Sequence, residues 1–218
     1  MRRILAAAIG VLVLAAAPLA AQQRTVRSML ADATVRLESG CTGAVAEKSQ
    51  IVVTALHCVR DRQSVGVRFS NGEQRTAWVV ATDDVADQAV LFLEESVWVT
   101  PLRIARLGAV PGSVLYFGGH PDRLGFEAAR VDRIGICPSL PDLPNALFTG
   151  IHGKPGDSGA PLLNAAGSIA GLVHGGARCE IATPADRLLA LVQMVLRPPP
   201  SLDVLRAVLR LTPETSPT

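Results

Sequence analysis

Gly156-Asp157-Ser158-Gly159-Ala160-Pro161 is the stretch that decides how this chain of 218 residues is interpreted. It gains its meaning from a second stretch far upstream, Thr54-Ala55-Leu56-His57-Cys58. A serine in a glycine-rich turn offers a nucleophile, but its hydroxyl is weak until an adjacent base takes the proton. His57 offers that base. A carboxylate between the two stretches is then needed to orient the histidine.

Asp87 is the preferred carboxylate. It opens the run Asp87-Gln88-Ala89-Val90-Leu91-Phe92-Leu93, in which an acidic residue leads into a short apolar segment typical of a buried strand. At the mouth of such a strand it can accept the Nδ1–H of His57 and stabilise the imidazolium. Asp83 and Asp84 compete for this role. The apolar run after Asp84 is interrupted by Asp87 itself, which favours Asp87.

Each motif alone also fits an ordinary structural role, because Gly, Asp and Ser all favour turns. Their joint occurrence resembles the trypsin-like, chymotrypsin-fold serine proteases, and most closely their compact bacterial secreted branch, which includes glutamyl endopeptidase-like enzymes. The chain order His, Asp, Ser is that of this family and differs from the orders in subtilisins and α/β-hydrolases. The resemblance rests on five segments: Cys41-Thr42-Gly43, Thr54–Cys58, Asp87–Leu91, Gly156–Pro161 and Gly171–Gly176.

The resemblance implies a catalytic triad of His57, Asp87 and Ser158, and no metal or other cofactor. It implies an oxyanion hole formed by the backbone N–H groups of Gly156 and Ser158. It also implies that the substrate pocket is built from the segment before the nucleophile and from the strand after it. The expected pocket residues are His152, Gly153, Lys154, Pro155, Val173, His174, Gly175 and Gly176.

The pocket sequence leaves the preferred substrate residue open. No acidic residue occurs in 150–155, which disfavours a trypsin-like preference for Arg or Lys. His174 lies near the place where glutamate-specific relatives carry a histidine, but Val173 competes for that place, and neighbouring strand residues point to opposite faces. If His174 and His152 both line the pocket, an acidic residue before the cleaved bond is expected. Otherwise a small or medium apolar residue is expected.

Four cysteines fit an oxidising compartment and allow three pairings. The resemblance implies a Cys41–Cys58 bridge, which leaves Cys137 and Cys179 as the second pair. The second pair departs from the family, whose usual partner position, four residues before the nucleophile, is Lys154 here. No Cys-x-x-Cys occurs and the histidines are not spaced as ligand pairs, so we expect no metal site.

The N-terminus predicts export. Arg2 and Arg3 precede an apolar stretch from Ile4 to Ala17, and small residues then lead to Gln22, as in a signal peptide over 1–21. The apolar stretch is shorter than the ~20 residues of a spanning helix. We therefore expect a secreted or periplasmic protein without a membrane span after cleavage. A formal net charge of +2, without basic runs that contain aromatics, predicts no nucleic-acid partner. We expect a monomer that acts on proteins or peptides.

Twelve short β-rich runs with intervening turn signals predict an all-β fold. The resemblance implies two six-stranded antiparallel β-barrels with the active site between them. We predict an N-terminal segment over 22–33, a first barrel over 34–105 and a second barrel over 106–197 that ends in a helix, Pro184–Leu196. One long strand, Phe126–Ile134, is expected in the second barrel, and a Pro-rich tail with a short helix over 198–218.

The function that fits best is a secreted or periplasmic serine endopeptidase that works through an acyl-enzyme intermediate. Two alternatives stay open: a catalytically silent binding or regulatory protein on the same fold, and an esterase with the same triad. Many relatives pair the aspartate before the nucleophile with a newly cut N-terminus. The sequence that would supply this N-terminus is absent, so Asp157 has no obvious ammonium partner of that kind, and a cut after Arg24 or Arg27 stays open as the alternative.

Overall fold

The computed structural model describes residues 22–23, 25–123, 125–174 and 179–197. The predicted signal peptide, Gly175, Gly176 and the predicted tail over 198–218 lie outside the described residues. The described part is mostly β, with a helical segment at 25–33 and a helix, Asp186–Leu196, at its end. No helix in the described part is long and apolar enough to cross a membrane.

The first half is a closed antiparallel barrel of six strands in the order β1-β2-β3-β6-β5-β4. All six strands predicted here from β-rich runs are present, with ends within two residues of the predicted ones, which are Thr34–Leu37, Gly43–Ala46, Ile51–Thr54, Val65–Phe69, Thr76–Ala81 and Ala89–Leu93. Apolar side chains fill the interior, Leu37, Leu91 and Leu93 among them, all fully buried. The strands are β1 (Thr34–Leu37), β2 (Thr42–Val45), β3 (Ile51–Ala55), β4 (Ser64–Arg68), β5 (Gln74–Asp83) and β6 (Gln88–Leu93).

The second half is a curled half-barrel of seven strands in the order β8-β7-β11-β12-β13-β10-β9. Together with the first barrel and the C-terminal helix it forms a chymotrypsin-like fold, as the sequence predicted. The strands are β7 (Val114–Phe117), β8 (Glu127–Arg130), β9 (Arg133–Gly135), β10 (Ala146–Phe148), β11 (Pro161–Leu163), β12 (Ile169–His174) and β13 (Ile181–Pro184).

The seventh strand arises because the segment predicted as one strand, Phe126–Ile134, is divided. Val131 exchanges hydrogen bonds with the two residues before β7: its N–H donates to Ser113 O over 2.8 Å, and its carbonyl accepts the Gly112 N–H over 2.7 Å. The next residue, Asp132, donates to Phe148 O on the opposite edge of the sheet. The chain thus crosses from one edge to the other between β8 and β9, which curls the sheet into a near-barrel.

The two halves share an apolar core to which the helical segment 25–33 and the C-terminal helix both contribute. On the C-terminal helix, Leu188, Leu191 and Val192 are buried. The last two follow Leu188 by three and four residues, which is the periodicity of an amphipathic helix. The helix begins two residues later than predicted, because Pro184 still pairs in β13. The segment between β6 and β7 connects both halves: Leu102 forms a β-bridge with Ala46 of the first half, and Ile104 forms one with Ile169 of the second.

Candidate active site

His57 lies in a short 3-10 turn, Leu56–Cys58, directly after β3. Bonds on both sides of His57 hold this turn on the barrel: the Leu56 N–H donates to Asp87 O over 3.0 Å, and Cys58 is disulfide-bonded to Cys41, the residue before β2. Leu56 and Cys58 are buried, while the His57 side chain is 33 % exposed. The turn therefore anchors on its flanking residues and presents the imidazole outward.

Asp87 stands at the entrance to β6 and binds His57 twice. Its Oδ1 accepts the His57 backbone N–H over 2.9 Å, and its Oδ2 lies 2.6 Å from His57 Nδ1. Asp87 has a φ of 50°, in the left-handed region that Asp tolerates better than most residues. This backbone conformation belongs to the bend that turns the carboxylate toward the histidine.

His174, at the end of β12, is the second imidazole on Asp87. Its Nε2 lies 3.2 Å from Asp87 Oδ2, and its ring centroid lies 4.7 Å from that of His57. Burial alone raises the pKa of Asp87, but the hydrogen bonds from His174 and His57 outweigh this and hold that pKa well below its usual range. Sequence reasoning considered His174 only as a pocket residue. The signal it lacked was the register of β12, which places the Nε2 against Asp87.

The two competing carboxylates lie elsewhere. Asp83 Oδ1 accepts the N–H groups of Val85 and Ala86 at 3.0 Å each, and its Oδ2 pairs with Arg187 at 2.6 Å. Asp84 is exposed and pairs with Arg60. Asp83 thus stabilises the turn that leads to Asp87, and of the three only Asp87 contacts His57 in the described residues.

Ser158 follows a tight turn, in which the Asp157 N–H donates to Lys154 O over 2.9 Å. Pro155 and Gly156 occupy the two central positions, and Gly156 has a φ of 97°, as a type II turn requires. Both Asp157 oxygens accept backbone N–H groups, from His120 at 2.9 Å and from Lys154 at 2.7 Å. These two backbone amides hold the Asp157 carboxylate, where many relatives use a newly cut N-terminus.

Backbone contacts with the first barrel hold the Ser158 turn beside the His57 turn. Ser158 O accepts the Thr42 N–H over 2.9 Å and lies 3.7 Å from Cys58 Sγ. Gly159 fits so closely that a Cβ there would lie 2.3 Å from both Thr42 O and Thr54 Oγ1. The Thr42 and Thr54 hydroxyls donate to Gly156 O and Thr42 O, each over 2.7 Å. The sequence analysis gave these two buried threonines no role, although they lie in the motifs Cys41-Thr42-Gly43 and Thr54–Cys58.

The family of the chain follows from comparisons with known proteins. The family described as "Trypsin-like peptidase domain" matches residues 41–172, which is more than half of the chain. The chain belongs to the trypsin-like peptidase family. It is 25 % identical over 175 residues to the serine endoprotease DegS of Haemophilus influenzae, a match that covers 78 % of this chain and 50 % of DegS. The chain thus spans about half the length of the curated relative it matches.

Solved structures show the same fold. A serine endoprotease from Yersinia pestis superposes with a TM-score of 0.65 at 20 % identity, covering 80 % of this chain and 66 % of that one. Deg5 superposes with a TM-score of 0.64 at 19 % identity, covering 80 % of this chain and 94 % of Deg5. These similarities show that the chain shares the fold of those proteases.

One cavity adjoins the candidate triad of this trypsin-like peptidase and a second lies beside Asp157, and the two pocket histidines line different ones. A cavity of about 400 Å³ is lined by His57, Asp87 and His174 together with the segment 139–143. His152 instead lines a smaller cavity with Lys154, is 84 % exposed and contacts Glu180. The structure does not bring His152 and His174 together.

The remaining predicted residues are distributed around the nucleophile turn. Val173 is buried in an apolar cluster with Ile151 and Ala160. Gly153 and Pro155 lie in the loop before Ser158, with the Gly153 N–H donating to Ile151 O. The second disulfide joins Cys137 to Cys179, and both predicted bridges are therefore present.

Proposed function

We propose that this protein is an exported serine endopeptidase in which Ser158 is the nucleophile, His57 the general base and Asp87 the group that orients the base. The observation that carries the proposal is the double contact of Asp87 with His57, through the backbone N–H and through Nδ1 at 2.6 Å. In that arrangement the imidazole keeps its proton on Nδ1, so that Nε2 can accept the serine proton.

The nucleophile turn supports the rest of the mechanism. The Asp157 N–H closes the turn onto Lys154, so the amides of Gly156 and Ser158 are the ones we assign to the oxyanion. Preorganised backbone donors of this kind typically account for about 3 kcal/mol of transition-state stabilisation each. After Ser158 attacks the scissile carbonyl, His57 returns the proton to the leaving amine, and water then hydrolyses the acyl-enzyme.

We further propose a small or medium apolar residue before the cleaved bond. The two histidines that would favour an acidic residue are already engaged by carboxylates, His152 by Glu180 and His174 by Asp87. Ile151 and Val173, in the buried apolar cluster that borders the nucleophile turn, place apolar rather than charged side chains beside it. The glutamyl endopeptidase-like preference stays the alternative that the substrate experiment has to exclude.

Export is proposed from the N-terminal sequence and agrees with the two disulfides, which persist in oxidising compartments. We propose proteins or peptides as substrates and a monomeric protein, with no cofactor for the hydrolysis itself.

The first experiment is digestion of a proteome-derived peptide library, read by mass spectrometry, with Ser158→Ala beside the wild type. We expect cuts by the wild type only, after residues such as Ala or Val. Ser70→Ala, an exposed serine in the β4–β5 hairpin, is the matched control and should cut as the wild type does. Cuts after Glu would instead establish the acidic preference, and cuts by the Ser158→Ala protein would reveal a contaminant.

The second experiment separates the peptidase from its two alternatives. A serine-directed phosphonate should label the wild type and the Ser70→Ala protein but not the Ser158→Ala protein. A protein that no phosphonate labels would support the silent binding protein. Labelling combined with hydrolysis of an ester but not of the matched amide would support the esterase.

A further inference from the structure

Three side chains with donor atoms suited to a metal converge in this site. Asp87 Oδ2 lies 2.6 Å from His57 Nδ1 and 3.2 Å from His174 Nε2. One donor atom from each of the three residues lies within 4.8 Å of the others. The spacing of the histidines along the chain gave no sign of a metal site, because the fold, not a local motif, brings His57 and His174 onto one carboxylate.

Two imidazoles and one carboxylate form a ligand set that Zn²⁺ uses when it keeps a fourth position open. Tetrahedral zinc with bonds of about 2.0–2.1 Å places its ligand atoms roughly 3.3 Å apart. The separation of 3.2 Å between His174 and Asp87 already fits this geometry. The 2.6 Å separation between His57 and Asp87 is a hydrogen-bond distance, so the metal has to displace the Nδ1 proton, which leaves that nitrogen when zinc binds.

The His174 ring can adopt the tautomer that a metal requires. Its Nδ1 is buried and has no hydrogen-bond partner among the described residues. The proton can therefore move from Nε2 to Nδ1 without breaking any bond of the described residues except the one to Asp87. The side chain is only 10 % exposed, which restricts its orientation and keeps Nε2 directed at the carboxylate.

The approach to the three residues is open and favours a cation. His57, Asp87 and His174 all line the cavity of about 400 Å³ beside the triad. The same cavity is lined by two further carboxylates, Asp84 and Asp142, against a single guanidinium, that of Arg60. A cleft lined mostly by one sign of charge raises the local concentration of the opposite ion.

We propose that His57, Asp87 and His174 bind a Zn²⁺ ion and that this ion inhibits the protein by occupying the general base. Zinc binding stands on the three side chains alone, whereas the inhibition rests on the proposed function. With zinc on Nδ1, the neutral imidazole of His57 carries its proton on Nε2, so that nitrogen cannot accept the proton of Ser158. A rise in free zinc thus stops turnover reversibly, and a chelator restores it.

The binding test is isothermal titration calorimetry of ZnCl₂ into the Ser158→Ala protein, which retains all three ligands and cannot digest itself. We expect one zinc per chain with a micromolar Kd. Adding His174→Gln, which keeps an N–H donor toward Asp87 but removes the imidazole, should weaken binding by about 10- to 100-fold or more. His57→Ala should weaken zinc binding similarly. The His57 side chain is partly exposed, so its removal should disturb the fold less.

His152→Ala is the matched control, because His152 is also a histidine beside a carboxylate but lies away from the triad. It should leave the Kd of zinc unchanged. The proposal is overturned if millimolar zinc does not bind, if binding is unaffected by both His174→Gln and His57→Ala, or if it depends on His152 instead. Thermal melting of each variant establishes that it is folded when titrated.

The inhibition test follows phosphonate labelling of otherwise wild-type protein with and without zinc. We expect zinc to slow labelling, His174→Gln to raise the inhibitory zinc concentration at least tenfold, and Ca²⁺ to have no effect because it prefers oxygen ligands. Zinc that binds by calorimetry without slowing the labelling overturns the inhibitory role. A protein that labels under no condition refutes the proposed function, and calorimetry then still decides the metal site.

Discussion

The two halves of the molecule divide the candidate site unequally. The first barrel is closed and carries His57 and Asp87, whereas the second is an open, curled sheet and carries Ser158 in a turn. The Ser158 turn nevertheless depends on the first barrel, since Ser158 O accepts the Thr42 N–H and Gly159 packs against Thr54. The closed half therefore holds the base and helps to hold the nucleophile turn, while the open half presents the nucleophile and places His174 on Asp87.

Removing the charge of Asp87, in the first half, should change activity most. Asp87→Asn should lower kcat by about 10⁴-fold with little change in fold, because an amide at this place favours the wrong tautomer of His57. Asp84→Asn is the matched control, since Asp84 is exposed and pairs with Arg60 rather than with His57. Amide hydrolysis by both variants measures the difference. Equal losses would mean that Asp87 is not the orienting residue.

The dependence of the nucleophile turn on the first barrel is tested by Gly159→Ala. The added Cβ would lie 2.3 Å from Thr42 O, at a φ of 82°, so we expect a loss of more than about 4 kcal/mol of unfolding free energy, in the range that marks a severe defect. Gly72→Ala has a similar φ of 86° but open space around the Cβ, and should cost only about 1–2 kcal/mol. Urea unfolding compares them, and similar losses would show that the backbone angle, not the close approach, dominates.

Each half contains one disulfide, so removing them one at a time compares the stability of the two halves. In the chain-entropy model the Cys137–Cys179 bridge, which spans 42 residues, should contribute about 4 kcal/mol, and the Cys41–Cys58 bridge, which spans 17, about 3 kcal/mol. Replacing each pair by serine should therefore destabilise the open half more. Activity should fall further without Cys41–Cys58, because that bridge anchors the His57 turn. The reverse order in denaturation midpoints and in residual activity would contradict the model.

A smaller effect is expected where the halves are tied by one side chain. Gln88, at the start of β6, is fully buried and donates from Nε2 to Thr183 Oγ1 at 3.1 Å and to Pro184 O at 2.7 Å on the other half. Gln88→Leu should cost about 1–3 kcal/mol, because it leaves buried acceptors without a donor. Gln50→Leu, whose amide bonds only within the first barrel, is the control and should change the urea midpoint less.

The sequence predicted the first half better than the second, for a physical reason. Strands β1 to β6 are joined by short connections and alternate or run apolar, so each could be located from its own residues. Phe126–Ile134 has the composition of one strand, and its division at Val131 and Asp132 depends on partners at two sheet edges that no local pattern reveals. The helical segment at 25–33 was likewise not predicted, since it is stabilised by packing against both halves.

The candidate site shows the same limit. The sequence motifs selected His57, Asp87 and Ser158 because the chemistry needs those residue types in that order. The place of His174 could not be deduced, because a shift of one residue along β12 exchanges the two faces of the strand. Its contact with Asp87 is set by the pairing of His174 with Ile181, which only the folded sheet defines.

The weakest change is expected at Asp83, the carboxylate that stabilises the turn leading to Asp87. Burial raises the pKa of Asp83, but the hydrogen bond from Arg187 and the amides of Ala86 and Val85 outweigh it and leave that pKa below its usual value. A carboxyl with a lowered pKa in the folded state binds fewer protons there than when unfolded. Its stabilisation is therefore full above about pH 4 and is lost as the pH falls through the folded pKa.

Because Arg187 is more than half exposed, we expect this contribution to be under about 1 kcal/mol. Arg187→Ala should lower the urea midpoint slightly at pH 7, and the difference from the wild type should shrink as the pH falls below 4. Arg60→Ala, which breaks the pair with Asp84 in which both side chains are more than half exposed, is the matched control and should show almost no difference at either pH. A difference that persists in acid would assign the effect of Arg187 to packing of the C-terminal helix rather than to its charge.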